Sequence, residues 1–386
     1  MSRIDDLIAE YCPNGVERKP LGAIAKLYRG NGLQKKDFTD KGIGCIHYGQ
    51  IYTRYDTFTS QTISFVDKKL ADKLLKVHPN DLIVTATSEN LEDVCKAVAW
   101  LGGSDIVTGG HSIVVRHHQN AKYLSYYFQT LDFFQRKRAY VHGTKVMEIK
   151  KDDLAKIVVP VPPLPVQEEI VRILDSFSSL EAELEAELEA RRKQYTHYRD
   201  ELLKFERVLI ASLGELCKIS VGRKNGTAGE FGEYPYVNAG TSMSGFVNEW
   251  SEEGDCVTTP SRGQGGMGFV AYQASRFWCG PLCYVMRSKH SDVMIKYVYY
   301  YLCSHKADIL GLVHEGGTPA INKSELAGLR ILVPPFEEQR RIVSILDRFD
   351  KLTNDLSSGL PAEIEARRKQ YEYYRDRLLS FDELAV

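Results

Sequence analysis

Two Pro-Pro steps, Val161-Pro162-Pro163-Leu164 and Val333-Pro334-Pro335-Phe336, have the outline of the NPPY/F motif with which amino-methyltransferases grip a target amino group. That chemistry needs Asn or Asp in the first place, because a side-chain oxygen must accept hydrogen bonds from the amino protons. Val161 and Val333 cannot do this. The glycine-rich stretch Ser261–Phe269 (SRGQGGMGF) lacks a following Gly-Lys-Ser/Thr and is not clearly set between a strand and a helix, so it reads as a turn and not as a phosphate cradle. Glu148-Ile149-Lys150 has the spacing used by metal-dependent nucleases, but the upstream acidic partner is missing, and 26% charged residues produce such tripeptides by chance. His117-His118 and the other histidines are not spaced to join Asp, Glu or Cys as ligands. Of eight cysteines only Cys279 and Cys283 lie close together, with no second pair to complete a tetrahedral metal site. Buried free thiols are expected, and neither a catalytic set nor a metal site is legible.

The elements that would position any site are easier to read, because one block occurs twice. VPPLPVQEEIVRILDSF (Val161–Phe177) faces VPPFEEQRRIVSILDRF (Val333–Phe349), and EARRKQYTHYRDELLKF (Glu189–Phe205) faces EARRKQYEYYRDRLLSF (Glu365–Phe381). The offset is 172 residues at Gln167/Gln339 and 176 at Tyr195/Tyr371, so the second copy carries about one extra helical turn. In the first copy Ile170, Leu174, Phe177, Leu180, Leu184 and Leu188, then Tyr195, Tyr198, Leu202 and Phe205, step by threes and fours. That spacing predicts an amphipathic helix with coiled-coil character. Pro160, Pro162, Pro163 and Pro165 mark its start. The second copy keeps the frame in Ile342, Ile345, Leu346, Phe349, Leu352 and Leu356, then Tyr371, Tyr374, Leu378 and Phe381, with Gly359 and Pro361 expected to kink or break it. A helix of some 39 residues would be about 58 Å long and must pack along its length. The economical partner is its own copy, which a chain running domain, helix, domain, helix meets in antiparallel fashion.

The two halves resemble each other beyond the helices. Leu21-Gly22 matches Leu213-Gly214, and Gly143–Pro163 matches Gly317–Pro335 as loop, helical turn and β-branched strand. Strand-like runs at Asp81–Thr85, Ser112–Arg116, Asp255–Thr259 and Leu282–Arg287 lie between glycine, asparagine and proline signals, and aromatic helix-like stretches occupy Tyr123–Phe134 and Lys296–Cys303. The expected fold is α+β: two mainly-β domains, residues 18–160 and 208–333, separated by a long antiparallel pair of helices, residues 161–207 and 334–386, in a pseudo-two-fold repeat. Residues 1–17 look like the cut end of a third helical segment, with Ile4, Leu7, Ile8 and Tyr11 expected beside Leu378 and Phe381.

At 386 residues with 43% hydrophobic content the chain has room for two or three cores. It has no run of 18 apolar residues and no signal core at its start, so a cytoplasmic location without membrane contact is expected. A net charge of −1 hides an uneven distribution: residues 18–160 hold 22 basic against 14 acidic side chains, residues 208–333 hold 11 of each, and both helical segments are acidic.

Taken together, the twin helix starts (Pro162–Phe177 and Pro334–Phe349), the twin EARRKQY–YRD–LL–F ends and the opening LIAEYCPNGVERKPLG resemble the DNA-specificity subunit of Type I restriction–modification systems over essentially the whole chain. The resemblance implies two target-recognition domains, each reading one half of a bipartite double-stranded DNA site, on helices that bind two modification (methyltransferase) subunits. Restriction/translocase subunits join in the full complex. It also implies no cofactor and no catalysis in this chain; S-adenosylmethionine, ATP and Mg would belong to the partners. Phosphate contacts call for Lys and Arg, and base readout for Arg, Lys, Asn and Gln. The candidates are Lys35, Lys36, Arg54 and Lys145 in the first half, and Arg223, Lys224, Arg262, Gln264, Asn322 and Lys323 in the second. Partner docking falls to the helix stripe Ile170, Leu174, Phe177, Tyr195, Tyr198, Ile342, Leu346, Phe349, Tyr371 and Tyr374. Because the second domain is near neutral, the chain alone is expected to bind DNA weakly.

Overall fold

The computed structural model describes residues 3–224, 228–355 and 358–382. They form two compact units, one of residues up to Glu183 together with those from Glu365 onward, the other of Leu184–Ile364.

In the first unit a five-stranded sheet is ordered Ala25–Arg29, Ser112–His117, Leu82–Thr85, Ala97–Trp100, Phe58–Thr59. Its central strands are continuous apolar runs because both faces are covered. Side chains alternate between faces, so Leu82, Val84, Ile113 and Val115 enter a core with Tyr123, Tyr127 and Ile170. Ile83, Val98 and Val114 pack on the other side with Ile46, Trp100 and Ile106. A second sheet is ordered Ser64–Val66, Ile43–Ile46, Ile106–Thr108, Leu75–Val77, and within it Ile43–Ile46 runs parallel to Ile106–Thr108.

The second unit repeats this plan. Cys217–Val221, Cys283–Ser288, Cys256–Pro260 and Ala271–Gln273 form an antiparallel sheet, and Tyr234–Val237 runs parallel to Trp278–Cys279 in a smaller one. The matched Leu-Gly steps have matched surroundings. A Cβ on Gly22 would lie 3.0 Å from that of Ala155, and one on Gly214 would lie 2.9 Å from that of Ala327. Close helix-to-helix approach, not an unusual φ, therefore demands glycine at both places.

The first repeat copy is one helix of 39 residues, Leu164–Leu202. The second is divided into Phe336–Asn354 and Leu360–Leu378, as Gly359 and Pro361 imply. A side chain at Gly359 would come within 2.6 Å of the Lys351 carbonyl, and Pro361 sits in the first turn of the new helix, where its missing N–H costs nothing. Leu356 lies outside the described residues.

What ties each long helix to its domain is a buried glutamine from the repeat. Gln167 accepts a hydrogen bond from the Asn120 N–H (3.0 Å) and donates to the Pro162 carbonyl (2.7 Å). Gln339 accepts from the Met294 N–H (2.9 Å) and donates to the Pro334 carbonyl (2.9 Å). Asn120 and Met294 are the N-caps of the aromatic helices Ala121–Tyr127 and Ile295–Ser304, so one side chain joins the start of the long helix to the start of its neighbour. Two turns on, Asp175 accepts from Tyr126 (2.8 Å) and Lys122 (2.7 Å), and Asp347 accepts from Tyr300 (2.5 Å) and Lys296 (2.7 Å).

Within the first unit Phe177 stacks on Tyr374 at 5.5 Å, and Glu181, one turn further along, pairs with Arg368 at 2.5 Å. Advancing on one helix means retreating on the other, so these segments are antiparallel. The second unit holds the reciprocal ring contact, Tyr198 against Phe349 at 5.8 Å. The N-terminal helix Arg3–Tyr11 closes the first unit, with Ile4, Leu7 and Ile8 in the core that contains Leu378, Leu379 and Phe381. Tyr11 does not follow them: it is 44% exposed, because the helix ends there and Cys12 takes the buried position.

Removing the glutamine side chain strands a buried N–H and a buried carbonyl, each costing on the order of 1–3 kcal/mol. Gln167→Ala and Gln339→Ala should each lower the denaturation midpoint, whereas Lys193→Ala, which breaks only an exposed contact to Glu189, should leave it nearly unchanged. A urea titration of the three variants checks this. Acid sensitivity gives a second expectation. His117 is buried, accepts from the Gln119 N–H (3.1 Å), and its Nε2 has no partner among the described residues. Burial pulls its pKa from 6.5 down to about 4. The unfolded chain therefore binds the proton first, and the stability this residue contributes is complete above about pH 6.5 and lost as pH falls toward 4. His117→Asn should flatten the pH dependence of the melting temperature between pH 7 and 5; an unchanged slope would exclude His117 as its source.

Candidate nucleic-acid interface

The candidate cations lie on exposed turns and loops between the strands. In the first unit Lys35 and Lys36 lie in a single tight turn, Lys35–Asp37, held by the Asp37 carboxylate, which accepts from the Gln34 N–H at 2.8 Å. Strand Ile43–Ile46 ends at His47, whose Nδ1 accepts from the Gly49 N–H (3.2 Å), while Gln50 Oε1 accepts from the His47 N–H (3.0 Å). The turn they cap leads to Arg54. Lys35 and Arg54 line one cavity of about 560 Å3 with His47, Tyr48 and Tyr52. A second of about 390 Å3 is lined by Lys35, His47 and Tyr48 again, together with Gln34, Gly110 and His111. Burial and the nearby Lys35 and His111 hold the His47 imidazole neutral, with its pKa lowered to about 4.

Lys145 is exposed but lines neither cavity. It sits in a hairpin loop closed by the His142–Glu148 bridge, with Gly143 at φ 105°. Glu148 is engaged by Arg29 at 2.8 Å.

In the second unit the corresponding hairpin is closed by the bridge between His314 and Ala320. The glycine-rich stretch connects strands Cys256–Pro260 and Ala271–Gln273, so it is a strand-to-strand turn, with Gly263, Gly265 and Gly268 at φ 138°, 89° and 75°. Its backbone is tied to the hairpin by Gly263 N–H to the Pro319 carbonyl (3.0 Å) and Ile321 N–H to the Ser261 carbonyl (2.9 Å). Arg262 and Gln264 thus lie on the loop that adjoins the one bearing Asn322 and Lys323. Asn322 is committed internally, its Nδ2 lying 3.2 Å from His314 Nε2, which itself contacts Glu325 at 2.7 Å. Arg223 and Lys224 follow strand Cys217–Val221 with exposed side chains, and the Arg223 backbone is pinned by Cys279 and Trp278.

The docking stripe needs correction. Ile170, Leu174, Ile342 and Leu346 are fully buried in the cores of their own units, because the helix face that carries them is the one clamped to the domain by Gln167 and Gln339. Phe177, Tyr195, Phe349, Tyr371 and Tyr374 are half-buried, with Phe177 against Tyr374 and Tyr195 against Phe349. Tyr198 alone of the ten is exposed, at 43%. The sequence reading missed His47, Tyr48 and His111. No local signal marks them, since Tyr48 and His111 meet only through the pairing of strand Ile43–Ile46 with Ile106–Thr108.

Among the described residues no group of three His, Cys, Asp or Glu is placed to hold a metal ion. Burial raises the Cys45, Cys217 and Cys256 thiols to about 12, so they stay protonated. No helix of the described residues is long and apolar enough to cross a membrane.

The family profile for the Type I restriction modification DNA specificity domain matches residues 13–190 and again residues 208–366. The EcoR124I/EcoR124II specificity subunit of Escherichia coli is 36% identical over 266 residues, which span 58% of this chain and 63% of that subunit. A Haemophilus influenzae chain named as a type I restriction enzyme specificity subunit is 29% identical over 78% of this chain and 82% of its own length. In fold, the chain is similar to the crystal structure of the type I restriction–modification S subunit from M. genitalium, with a TM-score of 0.58 at 17% identity, covering 94% of this chain and 96% of that one. With the same domain plan present twice and the same profile matching twice, the chain belongs to the Type I restriction–modification DNA specificity family.

Proposed function

We propose that this specificity subunit reads the two halves of an asymmetric, bipartite double-stranded DNA target, one with each domain, and presents that target to two modification subunits. The observation that carries this is a repeated plan with unrepeated loops. Both units contain a parallel strand pair, yet the first pair's strand runs on into His47-Tyr48 and the second's into Asn238-Ala239. Equal scaffolds with unequal tips suit two different half-sites.

Docking then falls to the outward side of the repeat, where both copies expose the same i,i+4 pair: Glu189 with Lys193 and Glu365 with Lys369. Two identical partner subunits would find two identical charged faces there. Through them the restriction/translocase subunits would join, and S-adenosylmethionine, ATP and Mg would be bound by those partners in the cytoplasm. The balance of 11 basic and 11 acidic residues in 208–333 gives this domain little phosphate neutralisation of its own, so partners supply the missing contacts.

Exchange of residues 18–160 for those of a relative, expressed with the modification subunits and followed by methylome sequencing, should change one half-site and preserve the other. A change in both halves, or methylation without a bipartite consensus, would sink the reading. The continuous helix Leu164–Leu202 supports a ruler role. Inserting four residues, one turn, within Leu180–Leu188 should lengthen the unread spacer while both half-sites stay the same. An unchanged spacer would assign its length to something other than this helix.

A further inference from the structure

In the second unit the residue after the parallel strand is spent on the fold: Asn238 Oδ1 accepts from the Leu282 N–H at 2.9 Å. In the first unit the equivalent position opens an aromatic wall. The Tyr48 ring lies 4.4 Å from that of His47 and 4.8 Å from that of His111. Each imidazole is fixed from behind, His47 by the Gly49 N–H and His111 by Thr87 Oγ1 at 2.8 Å. The Tyr48 hydroxyl, the Lys35 ammonium and the Arg54 guanidinium have no hydrogen-bond or ion-pair partner among the described residues. Two nearby carboxylates are already engaged, Asp37 in its turn and Asp93 with Lys96.

Given the DNA-reading role proposed above, we infer that the wall of Tyr48, His47 and His111 between the two cavities reads a base of the first domain's half-site, while Lys35 and Arg54 hold the phosphates beside it. The chemistry sorts the residues this way. The Tyr48 phenol can both donate and accept, and each imidazole, its Nδ1 already engaged by Gly49 or Thr87, has only Nε2 left to offer, a pattern that base edges can discriminate. Free cations at the rim bind any sequence equally and position the duplex. The backing hydrogen bonds hold the wall in place before DNA arrives, so little ordering is left to be done on binding. The wall also joins the two cavities, since Lys35, His47 and Tyr48 line both.

The test uses the full chain assembled with its modification subunits. Tyr48→Phe removes one oxygen and should keep the fold, which a thermal melt verifies; Tyr48→Ala removes the ring as well. Either variant should relax one base position in the half-site that exchange of residues 18–160 alters, with about a tenfold loss of discrimination there, and leave the other half-site intact. Lys35→Ala combined with Arg54→Ala should keep the methylated sequence and reduce the slope of log affinity against log salt by about two. Unaltered discrimination in both Tyr48 variants, or a wild-type salt slope in the double variant, overturns the inference while the specificity role stands. Wild-type complexes that methylate without a bipartite consensus overturn both.

Discussion

A buried glutamine has four hydrogen-bonding sites and no water to satisfy them, so wherever it is placed the surrounding backbone must come to it. Gln167 and Gln339 use this property to join two things at one point: the proline-bounded start of a long helix and the capped start of an aromatic helix. An exposed hydrogen bond could break at little cost, but these sit in closed cores with almost no accessible surface. The orientation of each domain on its own helix segment follows from this joint, and the aspartates two turns on reinforce it through tyrosine and lysine.

Once that face of the helix is committed to its domain, the remaining faces have different tasks. The Phe–Tyr contacts use one residue from each copy, Phe177 with Tyr374 and Phe349 with Tyr198. The acidic and basic residues beyond them lie toward solvent. This division explains why the apolar stripe is a poor guide to partner docking: the residues most regular in spacing are those already buried. It also explains why a helix with so many glutamates remains a helix, since packing at its ends and i,i+4 pairs such as Glu187–Arg191 supply what an isolated peptide would lack.

Much of the fold was legible in the chain. The repeat, the proline boundary, the break at Gly359 and Pro361, and the central strands all follow from local pattern. Tyr11 was misread because periodicity does not say where a short helix stops. The candidate interface was only partly legible. Exposed lysines and arginines can be guessed from type, but Asn322 turned out to be held by His314, and the Tyr48 wall was invisible.

The sequence by itself determined that there are two like units on two like helices, because duplication leaves matching residues at fixed offsets and amphipathic spacing is a local property. It also determined the absence of familiar catalytic and metal motifs, since those require particular residue types at particular spacings. Which side chains share a surface was decided only by tertiary structure. His47 and His111 lie on either side of Tyr48 because strands Ile43–Ile46 and Ile106–Thr108 pair in parallel, and parallel neighbours require a long crossover that separates them in the chain. Likewise Ile170 and Leu174 became core instead of surface because the domain folded onto them, a long-range burial that the helix period cannot distinguish from an open face.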